Sequence, residues 1–146
     1  MKILMLIALH VVAVFAQEIK VSDKLENIEV QDQFEKKAKM LPHKTIVYSW
    51  DKEQTQLAND LFDKEPKLLN EAILVVDSSQ IPWGIKSLFV LPKMKNYSHS
   101  IYLNDDEQYN KKIAYKDGYL TVLKMDGDVV KSIVFVKDMQ GLKEEL

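Results

Sequence analysis

The sequence predicts an α/β domain, a three-layer sandwich in which helices flank a mixed central sheet that finishes in a late antiparallel hairpin. Three observations carry this reading. Ala72-Ile73-Leu74-Val75-Val76 is apolar at every position, as expected of a strand buried on both faces beneath helices. A β-branched and aromatic run, Lys44 to Trp50, precedes it, and between the two lies an amphipathic stretch with Leu57, Ala58, Leu61 and Phe62 on one face. Two buried strands joined by a helix imply a parallel pair with a crossover. Finally, Asp126-Gly127, a strong two-residue hairpin signal, separates Tyr119 to Met125 from Val129 to Val136.

Taken in order, residues 1–16 begin with Lys2, continue without an acid through an apolar run, and end in Val14-Phe15-Ala16. This is the pattern of a cleavable secretory signal, with the cut between Ala16 and Gln17, and it predicts a periplasmic or secreted protein. The apolar run falls short of the roughly 20 residues of a membrane span, so no stable span is expected after cleavage; an uncleaved anchor is the alternative. Residues 17–26 are polar and charged and read as an exposed lead-in, with a thin apolar rhythm at Ile19, Val21 and Leu25. The folded domain is expected over 27–146. A first strand is expected near Asn27–Gln31, followed over Asp32–Lys39 by either a frayed helix or part of a hairpin, ended by Pro42. Asp51 is placed to cap the helix after Trp50, with Gln54 reaching back three residues later, and Pro66 to end it. Ile85, Leu88 and Phe89 suggest a short helix cut by Pro92. Ser100–Leu103 reads as a weaker strand, Asn104 to Glu107 as a turn into a brief helix, and Asp138 as the cap of a C-terminal helix.

Composition narrows the chemistry. Beyond Ala16 one domain of ordinary size remains, long enough to bury a core without staples. There is no cysteine, which excludes thiol chemistry and disulfides alike. The net charge is −2 with the two signs interspersed, and every basic residue is lysine. Without a basic face or the planar fork of arginine, no nucleic-acid partner is expected. The four glycines, at 84, 118, 127 and 141, are too scattered for a phosphate cradle.

Short motifs add a resemblance. Val30-Gln31-Asp32-Gln33-Phe34 is similar to the Asp-Gln-Phe opening of peroxiredoxin-like (AhpC/TSA-like) and TlpA-like domains. Ala72 through Pro82 resembles the second strand and following loop of small exported YtfJ-type proteins, and Asp126 to Val130 stands where such proteins carry their last hairpin. The resemblance covers most of residues 27–146 and implies a thioredoxin-like fold. In thioredoxin-like enzymes the reactive cysteines follow the first buried strand; here that stretch is Trp50-Asp51-Lys52-Glu53-Gln54. The resemblance therefore implies a scaffold without its usual chemistry.

Trp50, Asp51, Asp77, Ser78 and Trp83 are the candidate ligand-binding residues. They follow two buried strands at their C-terminal ends, where open α/β sheets collect ligands. The competing reading is two tryptophans plugging the ends of the core, since the indole buries so much area. No catalytic residue is assigned. Ser78 or Ser79 with His99 and Asp77 can be written as a triad, but no Gly-x-Ser-x-Gly elbow exposes the serine. His43 and His99 lack the companions of a metal site, and Asp105-Asp106-Glu107 and Asp126-Gly127-Asp128 fit turns better than calcium loops, so no metal is expected. The sequence points to a non-catalytic binding or accessory module, partnered by an envelope protein or a small ligand, with no cofactor. The alternative is a small oxidoreductase or carrier relying on bound flavin or haem.

Overall fold

The computed structural model describes residues 17–146; the signal assigned to residues 1–16 lies outside the described residues. Seven strands form one sheet: β1 (Glu29–Asp32), β2 (Lys37–Lys39), β3 (Thr45–Ser49), β4 (Ala72–Asp77), β5 (Tyr102–Asn104), β6 (Leu120–Asp126) and β7 (Val129–Val136). Their order across the sheet is β2-β1-β5-β4-β3-β6-β7. β3, β4 and β5 are parallel, and the other pairings are antiparallel. The sheet is thus mixed, with parallel strands at its centre, as the apolar run of β4 requires: that strand is buried from Ala72 through Val76.

The alternation of side chains along the central strands builds two cores. Val47, Leu74 and Val76 face Ala58, Leu61 and Phe62 of α1 (Lys52–Lys64), together with Met94 and Leu142 from later helices. Ile46, Tyr48, Ile73 and Val75 face the opposite side, where Ile19, Leu25, Met40, Tyr109 and Ile113 complete the layer. Residues 17–26 are exposed at most positions, as expected of a lead-in, but they are held to the domain at two. Ile19 and Leu25 are buried, and backbone bonds tie Ile19 N to Lys112 O (2.7 Å), Ser22 N to Val130 O (2.8 Å) and Leu25 N to Asp128 O (2.7 Å). Of the weak apolar rhythm read there, Ile19 and Leu25 anchor a strap along the sheet, while Val21 is exposed.

Local signals explain most element ends. Asp51 caps α1 by accepting the Gln54 amide at 2.9 Å, and Gln54 Oε1 reaches back to the Trp50 amide at 3.3 Å. Asp32–Lys39 resolves into a hairpin, with Asp32 Oδ1 accepting the amides of Phe34 and Lys36. In the last hairpin Asp126 pairs with Val129, so the loop residues are Gly127 and Asp128, one position later than the motif suggests. Gly127 alone of the two has a positive φ (+59°), the pattern of a type II′ turn and not of the I′ turn that Asp-Gly would form. Pro92 does not cut its helix. Residues 86–90 take a π-helical register in which the Leu91 amide bonds Lys86 O, and Pro92, lacking a donor, sits in the first turn of the continuing segment Leu91–Met94. Asp138 caps the last helix, Met139–Glu144, through the Gly141 amide at 2.7 Å. Among the described residues no helix is long and apolar enough to cross a membrane.

Candidate functional site

A cleft of about 470 Å³ opens at the carboxyl ends of β3 and β4, between the start of α1 and the helical stretch 83–94. Trp50 and Asp51 come from the turn after β3, Thr55 and Asn59 from α1, Asp77 from the end of β4, and Phe89 from the helix opposite. The parallel pairing of β3 with β4 explains the meeting: in register, Ser49 lies beside Val76, so the next residues of both strands emerge at one edge. A second cleft of about 420 Å³ lies on the other side of Trp50 and shares Asp77 and Gln80 with the first. Its remaining wall includes Glu18, Glu107, Lys111 and Tyr115.

Trp50 is the partition between them. Its ring stands 5.0 Å from Tyr48 and 5.3 Å edge-on from Tyr115, and its indole nitrogen donates to Thr121 Oγ1 at 3.0 Å. Thr121 is itself fixed by donating to Ala114 O at 2.6 Å. A tryptophan held by two rings and one hydrogen bond, with a face left to each cleft, is a pre-positioned apolar wall.

Asp77 is fixed from below. Its Oδ1 accepts from Asn110 Nδ2 (2.7 Å), Ser79 N (3.0 Å) and Ser79 Oγ (2.6 Å), while Oδ2 takes no hydrogen bond from the described residues. Asn110 is the hub of a buried network: its Oδ1 accepts the Tyr48 hydroxyl and Asn104 Nδ2 (2.9 Å). Burial holds the Tyr48 hydroxyl far above its ordinary pKa, against the lowering effect of Asn104, so it remains a donor. The site is thus an apolar wall beside an oriented carboxylate, able to hold an apolar group that carries a hydrogen-bond donor or a positive charge.

Of the five residues singled out in the sequence, Trp50, Asp51 and Asp77 line the main cleft. Ser78 is buried and turned away, its hydroxyl donating to Asp105 Oδ1 at 2.5 Å. Trp83 is 80% exposed and lines neither cleft, nor does it plug the core. It opens a helix whose inward face is supplied later, by Val90 and Met94. His99 stays apart from Ser78 and Asp77: its Nε2 bonds Asn59 Oδ1 at 2.9 Å, between the rings of Phe62 and Tyr97. Among the described residues no three His, Asp or Glu side chains are grouped to hold a metal ion. Sequence reading missed Asn110, Asn104 and Gln80. Nothing in their local pattern marks them; only the juxtaposition of β5, the short helix Glu107–Asn110 and β3 does.

No family model matches this chain, and no curated protein sequence does. Solved structures do. The peroxidoxin BcpB of Mycobacterium tuberculosis superposes with a TM-score of 0.58 at 14% identity, over 88% of this chain and 94% of that one. A proposed thiol:disulfide interchange protein, DsbE, from Chlorobium tepidum gives 0.56 at 10% identity, over 88% and 96%. A proposed protein disulfide isomerase from Bacteroides thetaiotaomicron gives 0.54 at 11% identity, over 88% and 91%. At such identities the likeness is one of architecture, and it agrees with the strand order and crossover described above. The chain has the thioredoxin-like fold, and its 146 residues contain no cysteine.

Proposed function

We propose that this protein is an exported, non-catalytic binding module, in the periplasm or secreted, which uses the cleft beside Trp50 to hold an apolar group of a small ligand or a partner protein. The observation that carries the reading is the composition of that cleft. At the end of the first buried strand, where the thioredoxin-like enzymes this chain resembles bear their thiols, stand Trp50, Asp51 and Lys52. A rigid aromatic wall and an oriented carboxylate suit recognition, and they supply neither a thiol nor an electron carrier. Export rests on the signal pattern of residues 1–16 and on the resemblance to YtfJ-type exported proteins.

Native mass spectrometry of the protein isolated gently from its own host tests this. The expected result is a chain beginning at Gln17 that carries a stoichiometric ligand or partner, lost in Trp50→Ala. A chromophore with visible absorbance would instead establish the flavin or haem carrier. Turnover of any substrate by the bare chain would overturn the non-catalytic reading.

A further inference from the structure

The helical stretch 83–94 presents apolar side chains to solvent. Trp83, Leu88, Phe89 and Ile85 are 80%, 70%, 66% and 48% exposed, crowded within two turns. Scattered exposed apolar residues are ordinary, but a cluster of four of the largest is not. The cleft accounts only for Phe89; Trp83, Ile85 and Leu88 line no cavity described above.

One polar group of this stretch points the other way. Lys86 is drawn inward, its side chain 14% exposed, with its ammonium on both oxygens of Asp105 at 2.6 and 2.5 Å. Burial of Asp105 opposes its charge, but the bonds from Lys86 and Ser78 prevail and hold it below the usual carboxylate range. At the far end Gln33 Nε2 donates to Met94 O at 3.3 Å and to His99 O at 2.8 Å. A surface helix of a globular protein normally turns its apolar stripe to the core; this one, pinned at both ends, buries Met94 and packs Val90 inward yet leaves Trp83, Ile85, Leu88 and Phe89 in solvent.

Charge supplies the second observation. From Ser78 to Asn104 there is no acidic residue, although the chain as a whole is acidic. The stretch holds Lys86, Lys93 and Lys95, of which the last two are exposed. The acid that meets this helix, Asp105, is already neutralised by Lys86.

We propose that this face docks on an anionic lipid surface, Trp83, Ile85, Leu88 and Phe89 entering the headgroup–acyl boundary while Lys93 and Lys95 meet the phosphates. An outward apolar helix face with an aromatic at its head and lysines at its tail is how a helix lies in a membrane interface. Trp83, Ile85, Leu88 and Lys95 lie outside the cleft while Phe89 and Lys93 also line it, so substitutions at Ile85 and Leu88 are what separate this face from the cleft.

The test is flotation of the protein, as its host processes it, with vesicles of phosphatidylcholine alone or mixed with phosphatidylglycerol. Binding is expected to the mixed vesicles and to weaken with salt. Trp83 emission is expected to shift to the blue on binding, in Trp50→Phe as in the unsubstituted chain, and the shift to vanish in Trp83→Phe. Ile85→Glu with Leu88→Glu, both at exposed positions outside the cleft, is expected to weaken binding at least about tenfold while circular dichroism is unchanged. Lys93→Ala and Lys95→Ala each lower it about fivefold. Absence of flotation at low salt, or flotation undiminished by the Ile85→Glu/Leu88→Glu pair, overturns the proposal. So does self-association abolished by that pair without any vesicle binding, which assigns the face to a second copy of the chain.

Discussion

Replacing Asn110 by alanine isolates the network beneath the cleft. Asn110 is 3% exposed and makes four hydrogen bonds: its Oδ1 accepts from Tyr48 and from Asn104 Nδ2, and its Nδ2 donates to Asp77 Oδ1 and to Asn104 O. Some partners keep other bonds. Asp77 retains both Ser79 donors, and Asn104 O retains the Ser78 amide at 3.1 Å. The Tyr48 hydroxyl proton and one hydrogen of the Asn104 amide do not, and both side chains are buried. Two buried donors left without acceptors cost about 1–2 kcal/mol each, and the charge-assisted bond to Asp77 adds about 1 kcal/mol more. The expected loss is about 3–5 kcal/mol, or on the order of 10–20 °C in Tm for a domain of this size. Urea unfolding followed by far-ultraviolet circular dichroism measures it, with an unchanged m value showing that the same structure unfolds. A loss below about 1 kcal/mol would refute the reasoning, because Tyr48 and Asn104 would then have other acceptors. Asn110→Asp keeps the shape but sets a second carboxyl against Asp77. Its folded-state pKa is expected to rise, so this variant should lose stability as pH increases through the carboxylate range.

Burial lowers the pKa of His99 below its ordinary value of 6.5, with the charge of Asp63 offsetting part of the effect. With Asn59 Oδ1 accepting from Nε2, Nδ1 is left buried without a partner, so the neutral ring is favoured in the folded state. The unfolded chain then binds the extra proton first: the contribution is fully present above 6.5 and is lost as pH falls below it, a slope that His99→Gln should flatten in urea titrations between neutral and mildly acidic pH. Asp51→Ala removes the cap on the Gln54 amide and should cost about 1 kcal/mol, most of it restored by Asp51→Asn. Gly127→Ala should cost about 1–2 kcal/mol although a methyl group there meets nothing within 4 Å, because the penalty comes from φ at +59°. Equilibrium unfolding separates that backbone effect from the near-neutral result a purely steric account expects.

What could be read from the sequence was what depends on near neighbours or on strong periodicity. The five-residue apolar run of β4, the Asp51 and Asp138 caps and the last hairpin each declare themselves within a few residues, and together they specify the sheet's centre and the fold. Because β3 and β4 were legible, so was the edge where Trp50 and Asp77 meet. Trp83 was not, because burial of a tryptophan is decided by which side of a helix its neighbours hold down, and here Lys86 and Met94 take the inner side. Pro92 misled for a similar reason: its missing donor is absorbed by a change of helical register that composition does not announce. Asn104 and Asn110 pass for loop residues until three distant segments converge on Tyr48.

The strap formed by residues 17–26 bears on the order in which the chain can be assembled. Its backbone partners are Lys112, Asp128 and Val130, all more than ninety positions further on, and β3 itself waits for β6 to fill its second side. The strap therefore has no partner until Tyr109 to Lys112 have been made, and its Ser22 and Leu25 amides none until the last hairpin has. Contacts of such long sequence separation are slow to form. A nascent chain held short of its last hairpin would be expected to leave Leu25 uncovered and to remain open to proteases and chaperones.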